Sequence, residues 1–168
     1  MSIGAGITNT KDPLVRAAEI LWDMGIVVVA AAGNNGPQKG TISSPGISKK
    51  IITVGSADDI NVPENDIGKS YSGRGPTNAC VCKPDLVAPG CGIISCCNEP
   101  GRYFIKSGTS MSTPLVSGAI ALLLEKYPSM SNKDVKLRIR ERAVDLGLPH
   151  NQQGWGKLDV KRLLADEI

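Results

Sequence analysis

Two short stretches hold the residue types from which acyl-transfer chemistry is built. The first is Gly108-Thr109-Ser110-Met111-Ser112-Thr113-Pro114, which places a serine where an apolar helix begins. Helix N-termini present unbonded N–H groups and about half a unit of positive charge, so they favour a nearby anion. A nucleophilic Ser110 there would have its own N–H aimed at the oxyanion formed as it attacks a carbonyl. A plain N-cap is the commoner task of serine at such a place, and position alone favours it. The second stretch, Ala30-Ala31-Ala32-Gly33-Asn34-Asn35-Gly36-Pro37, leaves the end of an apolar run. Asn34 could offer its amide N–H to the same oxyanion, although a turn asparagine in a left-handed conformation is again the commoner use.

The elements around these stretches read as α/β. Asp12 and Pro13 are suited to the cap and first position of a helix that Gly25 closes, with Leu14, Ala17, Ala18, Leu21 and Trp22 at helical spacing. Ile26 to Ala32 is a continuous apolar run, the pattern of a strand covered on both faces in a parallel sheet. Lys50 to Gly55 repeats that signal, and Leu86 to Gly90 is a shorter third strand. Ser110 to Lys126, Ser131 to Arg142 and Asp159 to Leu164 read as helices. Ligand sites of open α/β sheets gather at the carboxyl ends of strands, where Asn34 falls.

Composition bounds the rest. The 168 residues amount to one domain, and 19 Lys and Arg against 16 Asp and Glu leave +3, too small a surplus to imply a polyanion partner. The segment Ser131 to Arg142 holds five basic residues, but none of its residues is aromatic, so it reads as a solvated helix face and not as a nucleic-acid surface. The longest apolar run has seven residues, well short of the ~18 of a membrane span. Met1 to Lys11, rich in Gly, Thr and Asn, does not read as a secretory signal. Five cysteines cluster between positions 80 and 97, as a C-x-C, a single residue and a C-C. An odd number excludes complete internal pairing, and structural zinc wants a different spacing. This usage leaves localisation open, with a reducing cytoplasmic compartment slightly favoured over secretion.

Taken together and in order, the motifs resemble the subtilisin-like serine protease family. Met1-Ser2-Ile3-Gly4 is similar to its M-S-L-G strand along the substrate cleft, and Ala31-Ala32-Gly33-Asn34 to its A-A-G-N segment with the oxyanion asparagine. Lys83-Pro84-Asp85-Leu86-Val87-Ala88-Pro89-Gly90 is similar to K-P-D-(I/L)-x-A-P-G, and Gly108 to Pro114 to the nucleophile motif G-T-S-M-A-(A/S/T)-P. The resemblance covers nearly the whole chain. It implies a single truncated domain over residues 1–168, the C-terminal part of a three-layer α/β domain. That domain has a mostly parallel sheet flanked by helices, here with its N-terminal strands missing. It also implies peptide-bond hydrolysis, with Ser110 as nucleophile and Asn34 in the oxyanion hole. Ser2, Ile3, Gly4, Ala32 and Gly33 would bind an extended peptide or protein substrate. Nothing acidic stands at Asn35 or Ser43, the positions matched to the rim and base of the specificity pocket, so strict preference for basic residues is not implied. Met111 beside the nucleophile would be an oxidation liability. No cofactor is implied, and no carboxylate cluster marks a metal or calcium site.

The family's triad runs Asp, His, Ser along the chain, with the first two in D-(S/T)-G and H-G-T motifs. Neither motif occurs here, and the sole histidine, His150, lies in Leu148-Pro149-His150-Asn151, which reads as a surface loop. A serine without a base is a poor nucleophile near neutral pH, so the isolated chain is expected to be inactive. Loss of neighbouring strands would expose a sheet edge and an apolar face, predicting self-association or complementation by the missing N-terminal half. A non-catalytic peptide-binding or interaction module on the same fold is the alternative. A nucleotide-binding domain is disfavoured, because Gly4-Ala5-Gly6 lacks a third glycine at the fingerprint spacing.

Overall fold

The structure is a computed structural model that describes residues 1–6, 9, 11–57 and 70–166. Helix α1 (Pro13–Asp23) begins where Asp12 Oδ1 accepts the Leu14 N–H at 2.8 Å. Its buried residues are Val15, Ala18 and Trp22. The chain then enters β1 (Val29–Ala31), β2 (Ile52–Ser56) and β3 (Leu86–Ala88), which are buried throughout. They pair in parallel in the order β1-β2-β3, with Ala30 opposite Thr53 and Gly55 opposite Val87. The apolar run is thus a shorter strand than its composition suggests. Its first residues continue the turn that closes α1, where the Gly25 and Ile26 N–H groups bond to Trp22 O and Leu21 O.

Both outer edges of this sheet are lined by short segments. The Met1 ammonium donates to Val29 O at 2.5 Å and the Ala31 N–H to Met1 O at 3.2 Å, so the chain's first residue lies along β1. Beyond β3, the Val87 N–H donates to Gly156 O at 3.0 Å and Val87 O accepts the Leu158 N–H at 2.8 Å.

After β3, the strands β4 (Ile93–Cys96) and β5 (Tyr103–Lys106) form an antiparallel hairpin. Sequence periodicity does not announce this hairpin, because neither of its faces is buried and no alternation is required. Helix α2 (Thr109–Lys126) packs across all three parallel strands through Val116, Ala119, Ile120 and Leu123. Helix α3 (Asn132–Arg142) starts on a reciprocal capping box between Ser131 and Asp134. Helix α4 (His150–Gln153) is a single turn, so His150 opens a helix where the sequence suggested a loop. Helix α5 (Val160–Leu164) is capped by Asp159 and packs on α2 and α3. This is the α/β arrangement of a parallel sheet with flanking helices.

The polar centre of the core is an ion pair. Lys83 Nζ donates to Asp85 Oδ2 at 2.5 Å and to Ile51 O at 3.0 Å, with its side chain 1% exposed. Asp85 Oδ2 also accepts the Thr53 N–H at 2.7 Å, which ties the start of β3 to β2. Burial pulls the Lys83 ammonium down to a pKa of about 8, against the attraction of Asp85. All five cysteines are free thiols. No helix of the described residues is long and apolar enough to cross a membrane.

Candidate active site

Ser110 stands in the first turn of α2, but it is not the N-cap. That position is Gly108, at φ 149°, with no side-chain cap bond. The serine side chain is thereby released from the capping task that its position alone favoured. A Cβ on Gly108 would lie 3.1 Å from Asn34 Nδ2, so both backbone conformation and space favour glycine there. The helix start is moored on one side to the end of β3: the Gly108 N–H donates to Gly90 O at 2.8 Å, and Ser112 Oγ to Ala88 O at 2.9 Å.

The other side is moored to Asn34, which follows β1. Asn34 Oδ1 accepts both the Thr109 N–H and the Thr109 hydroxyl, each at 3.0 Å. Thr109 Oγ1 in turn accepts the Gly33 N–H at 3.2 Å. This three-member lock orients the carboxamide, because an amide whose oxygen is held has only its Nδ2 group left to offer. Asn34 does not take the left-handed conformation of a turn asparagine; its neighbour Gly33 does, at φ 94°. A Cβ on Gly33 would lie 2.2 Å from Ser43 Oγ, so the close approach of these segments depends on glycine.

The N–H groups at the start of α2 divide clearly. That of Thr109 goes to Asn34 Oδ1 and that of Met111 to Gly108 O at 2.9 Å. The Ser110 N–H between them has no acceptor among the described residues. Ser110 and Asn34 are brought to the same spot by one bridging residue, Thr109. Thr109 belongs to the G-T-S motif, yet sequence reasoning assigned it no role, since nothing local shows which partner a buried threonine will meet.

The Ser110 hydroxyl donates to Ser2 O at 3.2 Å, and Ser2 Oγ donates to Ser110 O at 2.9 Å. The first segment of the chain is clasped to the helix start by this pair. Ser2, Ile3 and Gly4 are exposed, and the Ile3 and Gly4 backbone groups make no hydrogen bond among the described residues, leaving an edge at which an extended chain could pair. Ala32 and Gly33 behave differently. Ala32 donates to Val54 O at 2.8 Å and accepts from the Ser43 N–H at 2.9 Å, while Gly33 O accepts from the Gly73 N–H at 2.8 Å. Their backbone groups are engaged within the fold, where the two residues form a wall beside Asn34. Asn35 Nδ2 reaches Ser43 Oγ at 3.3 Å, joining the two neutral positions behind that wall.

On the hairpin side, Met111 borders a hollow of ≈ 490 Å³ shared with Ile93, Phe104 and Lys106. His150 makes no hydrogen bond to Ser110. No group of three or more His, Cys, Asp or Glu side chains is placed to hold a metal among the described residues.

Comparisons with known proteins give the chain's family and fold. Residues 1–156 match the model of the subtilase family. The chain is 45% identical over 141 residues to serine protease AprX of Bacillus subtilis, covering 75% of this chain and 32% of that protein. It is 36% identical over 149 residues to subtilisin DY of Bacillus licheniformis, covering 88% of this chain and 49% of the relative. Sphericase superposes with a TM-score of 0.77 at 30% identity, over 94% of this chain and 55% of sphericase. The fold is shared with the prenylagaramide maturation protease PagA as well, at a TM-score of 0.76 and 24% identity over 98% of this chain and 59% of that one. The chain therefore spans less than half the length of these two curated relatives. A helix-borne serine, a carboxamide locked beside it and a family match over nearly the whole length lead to one conclusion: this chain belongs to the subtilase family of serine proteases.

Proposed function

We propose that the chain carries the nucleophile and oxyanion half of a serine endopeptidase site. Ser110 Oγ attacks the scissile carbonyl carbon, and the oxygen that becomes negative is met by the Ser110 N–H and Asn34 Nδ2. Electrostatic stabilisation of this kind is effective because the donors are already oriented before charge develops. The observation that carries the reading is the lock on Asn34: Thr109 holds the amide oxygen through two bonds of 3.0 Å, leaving the Nδ2 hydrogens as donors. Ser2, Ile3 and Gly4 supply the edge for an extended peptide, and Ala32 and Gly33 the wall.

The proton of Ser110 must leave as the C–O bond forms. Its present acceptor, Ser2 O, is a carbonyl oxygen, which holds a hydroxyl but does not remove its proton near neutral pH. The chain therefore hydrolyses peptides only when an Asp–His pair is supplied by a complementing segment. Exposed apolar surface supports such a partner or a second copy: Ile3 is 63% exposed, and α2 turns Leu115 and Leu122 outward at 42% and 48%.

An activity-based fluorophosphonate probe tests this. The chain alone should label poorly. Labelling at Ser110, abolished by Ser110→Ala, should appear on mixing with a segment carrying D-T-G and H-G-T motifs from a subtilase. Robust turnover by the isolated chain would overturn the half-site reading, and labelling at another serine in the mixture would overturn the assignment of Ser110.

A further inference from the structure

At the amino-terminal ends of the strands, away from Ser110, the structure holds a hollow of ≈ 300 Å³. Strand β2 alone, at about 3.3 Å per residue over its five residues, separates the two ends by about 16 Å. The hollow is lined by the indoles of Trp22 and Trp155, by Leu137, and by a ring of Lys and Arg side chains. Lys136 fills its base: its ammonium donates to Lys49 O, Lys50 O and Ile51 O, each at 3.0 Å. It also sits 5.8 Å from the Trp22 ring centroid and 5.9 Å from that of Trp155.

The charges around the hollow are unequally matched. Lys50 is paired with Asp23 at 2.7 Å, and Lys136 faces Asp85 at 3.5 Å. Lys49, Lys133 and Arg140 also line it and take part in no ion pair among the described residues. Leu137 lies between the last two on α3 and is 53% exposed. An exposed leucine beside a cleft with three unmatched cations presents apolar contact and positive potential together.

We infer that this groove is a docking site for an acidic peptide segment of a partner protein, with one large apolar side chain of that segment lodged against Leu137 and Trp155 and its carboxylates paired with Lys49, Lys133 and Arg140. Charge complementarity selects the occupant, since unmatched cations at an interface rim steer anionic partners and fix their register. A nucleic acid fits less well. Trp22 is buried, and Lys136 lies over one face of each indole, so the hollow offers no pair of open rings on which successive bases could stack. The site acts by binding alone and is independent of the hydrolytic reading of Ser110.

The test uses the full chain with Ser110→Ala, so that hydrolysis cannot consume the probe. Fluorescence anisotropy follows a short labelled peptide of glutamates flanking a central leucine. It should bind, lose affinity as salt rises, and bind about tenfold more weakly after Lys133→Glu with Arg140→Glu. Leu137→Ser should weaken it about threefold or more, and replacing the peptide's glutamates by glutamines should abolish binding. These positions are exposed on α3, so the variants should keep the parent's circular dichroism. Absence of binding, equal binding by the charge-reversed variant, or equal binding of a single-stranded oligonucleotide would each overturn the proposal.

Discussion

Replacing Asp85 by alanine tests the claim that a buried ion pair holds together the strands that present the site. The carboxylate has three positive or N–H neighbours: Lys83 Nζ at 2.5 Å, the Thr53 N–H at 2.7 Å and Lys136 Nζ at 3.5 Å. Without it, the Lys83 ammonium keeps one acceptor, Ile51 O at 3.0 Å, in a position 1% exposed. Breaking a buried pair on one side costs about 3–5 kcal/mol, because the remaining charge has neither water nor partner. The stranded Thr53 N–H costs about 1–3 kcal/mol by itself. Both arise from one rearrangement and overlap, so the expected loss is about 4 kcal/mol. That is a large part of the roughly 5–15 kcal/mol by which domains are stable. Urea unfolding followed by tryptophan fluorescence measures it, since Trp22 and Trp155 both lie near Lys136 in the same cluster. Adding Lys83→Met to Asp85→Ala should recover most of the loss by removing the unpaired charge. A loss below about 1 kcal/mol for Asp85→Ala, or a double variant no better than the single, would refute the argument.

Lys83 also predicts a pH dependence. Its folded pKa of about 8 lies below the ordinary 10.5, so between those values the unfolded chain holds a proton that the folded chain has released. Stability should therefore rise as pH goes from about 8 to about 10.5, and this rise should be absent in Lys83→Met. Thr109→Val removes the hydroxyl that bridges Gly33 and Asn34 and should cost about 1–2 kcal/mol in denaturant titrations. In the complemented protein it should lower kcat more than KM. Asn34→Ala strands the Thr109 N–H and hydroxyl and should cost about 1–3 kcal/mol in the same titrations, while in the complemented protein it should cut kcat by the factor of about 10²–10³ seen for the oxyanion asparagine of a subtilisin, read from steady-state kinetics. Leu115→Lys with Leu122→Lys places charge on the outer face of α2, and light scattering should show less self-association than in the parent chain.

Much of the fold was legible because its signals are local. Asp12 and Pro13 specify the start of α1 through one side-chain bond and one preset φ. Ser131 and Asp134 do the same for α3 by reciprocal capping. The apolar runs before Gly33 and around Thr53 mark buried parallel strands, since only a strand covered on both faces can dispense with alternation. The hairpin β4–β5 escaped this reading because its exposed faces impose no pattern, and the short helix at His150 because one turn carries almost no periodicity.

The site divides along the same line. Position alone favoured a cap for Ser110 and a turn for Asn34; it was the resemblance of nearly the whole chain to the family that put the two in one catalytic scheme. Other features depended on contacts between residues far apart in the chain. Thr109 locks Asn34 across a separation of 75 positions, Ser2 clasps Ser110 across 108, and the backbones of Ala32 and Gly33 are consumed by Ser43, Val54, Thr109 and Gly73. The hollow at Trp22 and Trp155 is of the same kind, since α3 carries no aromatic residue of its own and receives both indoles from distant segments. Sequence determines which groups exist and what each helix or strand prefers locally. Only the closed chain decides which donor meets which acceptor, because a hydrogen bond or ion pair depends on separation in space, and that is set by packing across the sheet.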